Sequence, residues 1–306
     1  MTGPAATVTP PGMRGFHTIA VMPNVVLYCA DPLRPRAVDS HFAAEARRAR
    51  ELGGTVALVD HDALTRGDAT AAVARVPKDT GPVWYRGWMV SAERYAALDA
   101  ALRERGTRLA TTPAMYRTAH ELPGWYEVLA SVTPESAWFA MEPGARPSTA
   151  DVMAVAATLP PGAAVVKDHV KSRKHEPDAF HIADLAAAGD VHAVVTRFAE
   201  RQGTDLAGGI VLRAWEPFRG AESRVWWVDG VPVATGPHPD ADGDPEPPAL
   251  DALRELVPRL DCRFVTTDVV RHADGRTRLV ELGDGQVSDH PRDRDPTPLL
   301  TALLAA

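Results

Sequence analysis

The sequence is poor in the residues on which several classes of protein depend. It has only two cysteines, Cys29 and Cys262, which excludes a disulfide framework and a paired-cysteine metal site, so we expect two reduced thiols. No apolar run approaches the roughly 20 residues that a membrane-spanning helix needs. The first 15 residues also lack the apolar segment of a signal peptide. We therefore expect a cytoplasmic protein that contacts no membrane.

Lysine is the second scarce residue, since the chain has four lysines against 29 arginines. Three of these four, Lys167, Lys171 and Lys174, lie close together. A chain that elsewhere prefers arginine retains compact point charges here, and such charges suit phosphate oxygens. The cluster therefore indicates an anion site, although a solvated basic loop explains Lys171 and Lys174 equally well.

The overall charge excludes a further class of partner. The formal net charge is -7, and there is no long basic tract, so the sequence offers no nucleic-acid surface. Of the 306 residues, 45% are apolar and 24% are charged, which is typical of a globular chain of about two domains. The abundance of alanine and arginine is typical of a GC-rich bacterial genome.

Strands and helices alternate in the first part of the chain. Strands are predicted at 25–30, 55–59, 83–85 and 108–111, with helices at 42–52 and 92–105. This order is typical of a small parallel α/β domain, Rossmann-like in type, which we place at residues 1–115. It contains neither a GxGxxG loop nor a Walker A lysine loop, so we do not expect this domain to hold a nucleotide alone.

The second part of the chain has a different texture, which we assign to an α+β domain at residues 116–306. Its first segment, 116–150, is rich in proline and aromatic residues and is predicted to be an irregular connection. A helix at 150–159, a strand at 163–167 and two helices between 178 and 202 are predicted to follow. Turn signals at 229–230 and 274–275 then predict two hairpins.

The second hairpin predicts a pair of facing carboxylates. If residues 274–275 form a two-residue loop, Asp268 lies directly opposite Glu281 on one face of the sheet. Opposed like charges repel and call for a cation between them. Magnesium is one such cation, because it binds one or two protein carboxylates together with phosphate oxygens. The alternative is an exposed strand face neutralised by Arg276 or Arg278.

Three further sites stand out as candidates. Lys167 ends a buried strand, from which a lysine can reach a phosphate. Arg224 begins the strand 225–228 and is predicted to meet a phosphate or a substrate carboxylate, or else to pair with Glu222. Arg86 ends an N-terminal strand, where ligands of open α/β sheets bind, so it is predicted to hold an anionic substrate or to form a surface ion pair. His120 is predicted to be a histidine at a helix end.

The order of these pieces resembles the ATP-grasp superfamily, in its divergent stand-alone amidoligase-like branch. The resemblance covers roughly residues 83–290. Four segments carry it, namely the strand Val165-Val166-Lys167-Asp168, the connection 212–217, the strand 222–230, and the strand 267–270 followed by 279–283. The family usually has asparagine two residues after its metal-binding glutamate, whereas Gly283 stands here with Asp284 next.

The resemblance implies a fold, cofactors and site residues. The fold is a Rossmann-like pre-ATP-grasp domain followed by an ATP-grasp domain of two α+β subdomains, and the cofactors are ATP and Mg2+. The implied nucleotide-binding residues are Lys167, Lys171, Ser172, Lys174, Arg213, Ala214, Trp215 and Glu216. The implied metal ligands are Asp268, Glu281 and Asp284. Lys167 and Arg224 are the implied catalytic residues, and Arg224 and Arg86 the substrate residues.

The implied reaction is amide formation. A small-molecule or peptide carboxylate attacks the γ-phosphate of ATP, and an amine captures the resulting acyl phosphate. Two alternatives stay open from the sequence, namely a kinase that stops at a phosphorylated product and an ATP-binding protein without catalysis. The two substrates and the oligomeric state stay open as well.

Overall fold

The computed structural model of the protein describes residues 25–241, 243–291 and 294–306. The segment 1–15, for which the sequence predicts no signal peptide, lies outside the described residues. The strands are β1 (Val25–Cys29), β2 (Thr55–Val59), β3 (Gly81–Arg86), β4 (Thr107–Leu109), β5 (Ser136–Ala140), β6 (Ala164–Asp168), β7 (His181–Ile182), β8 (Gly209–Ala214), β9 (Phe218–Val228), β10 (Val231–Pro237), β11 (Phe264–His272) and β12 (Thr277–Asp284). The helices are α1 (Ala43–Glu51), α2 (His61–Arg66), α3 (Ala69–Ala72), α4 (Ala92–Arg103), α5 (Pro113–His120), α6 (Leu122–Leu129), α7 (Thr149–Ala156), α8 (Ala188–Gln202), α9 (Asp251–Leu256) and α10 (Thr297–Ala305). None of the helices in these described ranges has the length and apolar character to cross a membrane.

The N-terminal part is a parallel four-stranded sheet in the order β2-β1-β3-β4. Every residue of β1 is buried, as is typical of a central parallel strand covered on both faces. Ser91 caps α4 by accepting a hydrogen bond from the backbone N–H of Arg94 at 3.3 Å, as predicted. The Rossmann-like prediction is therefore confirmed.

The chain then forms two antiparallel sheets. The first, which we call the lysine sheet, has the order β5-β8-β6-β7, and the second, the carboxylate sheet, has the order β10-β9-β11-β12. One face of the lysine sheet packs Val166 and Leu212 against Phe198 of α8. Because side chains alternate along a strand, Lys167 and Arg213 point from the opposite face.

The carboxylate sheet is covered on both sides along part of its length. Trp227 and Val265 pack on one face against Trp125 of α6. On the other face, Phe264 meets Trp84 of the N-terminal sheet edge-on, with ring centroids 5.9 Å apart. The three sheets together form the predicted arrangement of a pre-ATP-grasp domain followed by two α+β subdomains.

Two predictions of secondary structure were wrong. The segment 116–150 is mostly regular, since it contains the end of α5, all of α6, and β5. Its prolines misled because Pro123 lies in the first turn of α6, where a missing N–H costs nothing. Between residues 178 and 202 there is one helix, α8, rather than two, because a turn held by the Asp184 side chain and the Ala186 N–H precedes it.

The hairpin predictions fared differently. The Asp229-Gly230 turn is a two-residue loop with positive φ at both residues, as predicted. At the second hairpin, His272 pairs with Arg276, so the loop has three residues instead of two. A β-bulge at Val280 compensates for this shift, and Asp268 lies opposite Glu281 as predicted.

Candidate active site between the two antiparallel sheets

A cavity of about 650 Å3 lies between the lysine sheet and the carboxylate sheet. It is bordered by strand residues of both sheets, by the loop after β6, and by the chain that links β8 to β9. The residues nominated from the C-terminal sequence all line it: Lys167, Lys171, Ser172, Lys174, Arg213, Ala214, Trp215, Glu216, Arg224, Asp268, Glu281 and Asp284. Residues from distant parts of the sequence are thus brought to one place.

An ion pair between Lys167 and Glu281 crosses this cavity. Lys167 Nζ donates a hydrogen bond to Glu281 Oε1 at 3.0 Å, which joins β6 of one sheet to β12 of the other. Burial opposes the charge of Glu281, but the Lys167 ammonium outweighs it and lowers the pKa of the carboxyl. The Glu281 side chain keeps 42% of its surface because it borders the open cavity.

A second ion pair lies within the carboxylate sheet. Arg224 holds Asp268 through two hydrogen bonds, from Nε at 2.8 Å and from Nη2 at 2.9 Å. His238 Nε2 lies 3.6 Å from the same carboxylate. Burial disfavours the guanidinium charge, yet Asp268 raises the pKa of Arg224 above its usual value. Asp268 and Arg224 are therefore both charged at neutral pH.

The loop after β6 is shaped by Asp168, which is fully buried. One of its oxygens accepts the backbone N–H groups of Val170 and Lys171, and the other accepts Gln202 Nε2 at 2.7 Å. This anchoring turns Lys171 and Ser172 toward the cavity without a glycine-rich segment. Lys174 Nζ lies 2.9 Å from Asp240, on the loop after β10, so the two sheets also meet across the mouth of the cavity.

The chain between β8 and β9 connects the two sheets. Arg213 donates to Thr133 and to the Leu279 carbonyl, and burial lowers the pKa of its guanidinium to about 10. Glu216 forms two bonds with Arg278, at 2.6 and 2.8 Å. These two charged side chains therefore hold the sheets together, while Trp215 remains 52% exposed at the cavity.

The carboxylates on the cavity face suit magnesium in kind. Asp268 and Glu281 offer hard oxygen ligands on one face, as Mg2+ prefers. The side chain of Asp284 does not join them, because it is an odd number of residues from Glu281 and faces the other side of the strand. Its Oδ1 accepts Gln286 N at 2.9 Å. Within the described part of the chain, no three acidic, histidine or cysteine side chains form a metal-binding group.

Arg86 also differs from its prediction as a substrate residue. It is 1% exposed, and its guanidinium binds Glu45 through two hydrogen bonds of 2.8 Å. Its remaining donor contacts backbone carbonyls of Gly285 at 2.6 Å and Ser288 at 2.9 Å. Arg86 therefore ties the chain after β12 to the N-terminal sheet and does not line the cavity.

Three cavity residues were not nominated from the sequence. Glu222 lies on β9 two residues before Arg224, and its side chain makes no hydrogen bond or ion pair with any described residue. Burial, and then the nearby Asp268, raise the pKa of its carboxyl. His120 ends α5 as predicted, and burial lowers its pKa to about 4. Its position, like that of His238, depends on long-range packing that no local pattern reveals.

Comparison with known proteins places these observations in a family. Residues 157–304 match the model described as an ATP-grasp domain, family 3 of its clade. No curated protein matches the sequence.

Solved structures resemble the whole chain. D-cycloserine synthetase DcsG is 17% identical with a TM-score of 0.61, over 92% of this chain and 98% of that one. The ATP-grasp ligase PsnB, complexed with a minimal precursor, Mg and ADP, is 16% identical with a TM-score of 0.55, over 92% and 97%. The macrocyclase MdnC from Microcystis aeruginosa MRC, bound with the precursor peptide MdnA, is 13% identical with a TM-score of 0.52, over 91% and 97%.

Proposed function

Residues 157–304 are an ATP-grasp domain, and from this premise we propose that the chain is an ATP-dependent ligase that joins a carboxylate to an amine. The observation that most supports the proposal is the placement of Lys167 and Arg224 opposite Glu281 and Asp268 in one cavity. Phosphoryl transfer needs positioned charges rather than a protein nucleophile. The cavity supplies such charges of both signs.

The nucleotide follows the cavity from the connecting chain inward. The exposed face of Trp215 packs against the adenine, and the unpaired carboxylate of Glu222 accepts hydrogen bonds from the ribose hydroxyls. Lys167, Lys171 and Lys174 contact the phosphates as point-charge donors. Lys167 and Lys174 exchange their present carboxylate partners for phosphate oxygens, so nucleotide binding breaks contacts that now join the two sheets.

Magnesium fits the same cavity. Asp268 and Glu281 would hold the ion, whose charge would offset the negative charge that develops on the phosphate oxygens. Arg224 lies beside Asp268 and orients the substrate carboxylate toward the terminal phosphate. The lack of a third cavity carboxylate in the described part of the chain is consistent with few protein ligands, since Mg2+ retains water and phosphate oxygens.

The reaction has two transfers. An oxygen of the substrate carboxylate attacks the γ-phosphorus of ATP, the bond to the β-bridging oxygen breaks, and ADP leaves. The amine nitrogen then attacks the acyl carbon, the carbon–oxygen bond to phosphate breaks, and inorganic phosphate leaves with the amide formed. The lysines and Arg224 stabilise charge in the first transfer. The carboxylate belongs to a small molecule or a peptide.

The test is ADP release by the full chain with Mg-ATP and a panel of carboxylates, each with and without hydroxylamine, which traps an acyl phosphate as a hydroxamate. We expect hydroxamate with at least one carboxylate, and its loss in Lys167→Ala. A stable phosphorylated product with an alcohol instead would identify a kinase. Tight Mg-ATP binding without turnover of any acceptor would identify a binding protein and contradict the proposed reaction.

A further inference from the structure

The carboxylates that line the cavity differ in how firmly they are paired. Four of them are bound to a lysine or arginine: Glu216 to Arg278, Asp240 to Lys174, Asp268 to Arg224, and Glu281 to Lys167. The side chain of Asp284 faces away from the cavity. Among the described residues this leaves Glu222, on the side of the connecting chain, and Asp289. Only these two have a charge that no lysine or arginine side chain already holds.

Asp289 lies on the opposite side of Arg224 from Glu222. Arg224 Nη1 approaches the Asp289 carbonyl at 3.5 Å, which places this residue beside the guanidinium that orients the substrate carboxylate. The Asp289 side chain is 45% exposed, and its Oδ1 lies 2.8 Å from His41 Nε2 of the N-terminal domain. The histidine fixes the direction of the carboxylate, and one oxygen remains for a ligand.

A small recess opens behind Asp289. It has a volume of about 150 Å3 and is lined by Ser40, Phe42, Ala44 and Pro296 together with Asp289. At its floor, Glu45 and Arg86 neutralise each other through two hydrogen bonds of 2.8 Å. A water occupies roughly 30 Å3, so the recess accepts a group of only a few heavy atoms. It is small, mainly uncharged, and adjoins one carboxylate.

We infer that Asp289 binds the ammonium group of the amine substrate, whose body occupies this recess, so that the second substrate is a small primary amine of amino-acid size. This inference rests on the proposed ligase function. An amine must reach the acyl carbon from the side of Arg224 that the nucleotide does not occupy, and Asp289 lies on that side. Its carboxylate gives a cationic amine the partner that the already paired acids do not.

The test compares a charged and an uncharged nucleophile on the same enzyme. With the full chain, Mg-ATP and a carboxylate that yields hydroxamate, KM is measured for hydroxylamine, which is neutral at pH 7.5, and for the best of a panel of amino acids and ethylamine. In Asp289→Asn, the ratio of the amine KM to the hydroxylamine KM should rise by roughly 10- to 100-fold, as expected for the loss of a charge-assisted hydrogen bond. Asp229→Asn is the control, because its side chain is also 45% exposed but lies outside the cavity.

Each other outcome is decisive. An unchanged ratio in Asp289→Asn, or the same rise in Asp229→Asn, overturns the inference. A wild type that forms hydroxamate but accepts no amine of the panel overturns it too, because the recess then lacks a ligand of this class. A wild type that forms neither hydroxamate nor ADP contradicts the ligase function itself. If Asp289→Asn does not fold, His41→Gln, which removes the imidazole behind the carboxylate, must raise the same ratio.

Discussion

Lys167 Nζ and Glu281 Oε1 lie 3.0 Å apart, and this contact joins the two sheets that enclose the cavity. A buried lysine that is held by one carboxylate before the nucleotide arrives is already positioned and charged. Its partner is the same carboxylate that would hold magnesium. The ion pair therefore keeps both groups oriented at the site, and binding of Mg-ATP replaces one favourable contact with two.

Replacing this lysine should weaken nucleotide binding. In Lys167→Ala, we expect Mg-ATP to bind roughly 10- to 100-fold more weakly in calorimetric titration, because a charge-assisted hydrogen bond to phosphate is lost. Lys78→Ala is the matched control, since Lys78 is exposed in the N-terminal domain. Equal affinity of the wild type and a folded Lys167→Ala variant would remove Lys167 from the site.

Trp215 offers a test of the adenine position. Its side chain is 52% exposed, so Trp215→Ala should change the free energy of unfolding by no more than about 0.5 kcal/mol. The loss of stacking should nevertheless weaken ATP binding by roughly 2- to 10-fold. Leu33→Ala, which removes a side chain that is 92% exposed, should change neither quantity. A Trp215→Ala variant that binds ATP as tightly as the wild type would contradict this placement.

Asp284 should make the protein less stable as pH rises. Burial raises the pKa of its carboxyl from 3.8 to about 7, and Oδ2 has no hydrogen-bond partner among the described residues. Because the folded-state pKa is the higher one, this group's contribution is fully present below about pH 4 and is lost as pH rises through 7. Asp284→Asn should therefore raise the free energy of unfolding at pH 8 by roughly 2–4 kcal/mol. It should leave the value at pH 4 nearly unchanged.

Chemical denaturation of both forms between pH 4 and pH 8 measures this effect. Asp251→Asn is the control, because Asp251 is exposed at the start of α9. A constant difference between wild type and Asp284→Asn across this range would mean that the carboxyl does not titrate on folding.

The sequence predicted the elements of this fold better than their junctions. Alternating apolar residues located β1, β2 and β6 to within one residue or so, because the period of a strand is local information. The opposition of Asp268 and Glu281 was also predicted, but through two errors that cancel. The turn has one residue more than expected, and the bulge at Val280 restores the pairing. Neither feature has a local signature strong enough to be read in advance.

The site was predictable where strand periodicity decided it and not elsewhere. Alternation alone separates Asp284 from Glu281, so the wrong ligand assignment was avoidable. The positions of His238 and Asp289 depend instead on loops that approach the cavity from other elements. The role of Arg86 likewise depends on Glu45, which is 41 residues away, and on backbone carbonyls that follow β12. Such contacts arise from tertiary packing.

Arg86 provides the last test, because its environment predicts a structural role instead of a substrate role. In Arg86→Leu, the Glu45 carboxylate stays buried without its partner, which should lower the free energy of unfolding by about 3–5 kcal/mol. Arg75→Leu, on an exposed arginine of the same domain, should change it by less than about 0.5 kcal/mol. Chemical denaturation measures both. A folded Arg86→Leu variant with wild-type stability but a raised KM for the carboxylate would return Arg86 to substrate binding, since only direct contact with the ligand separates affinity from stability in this way.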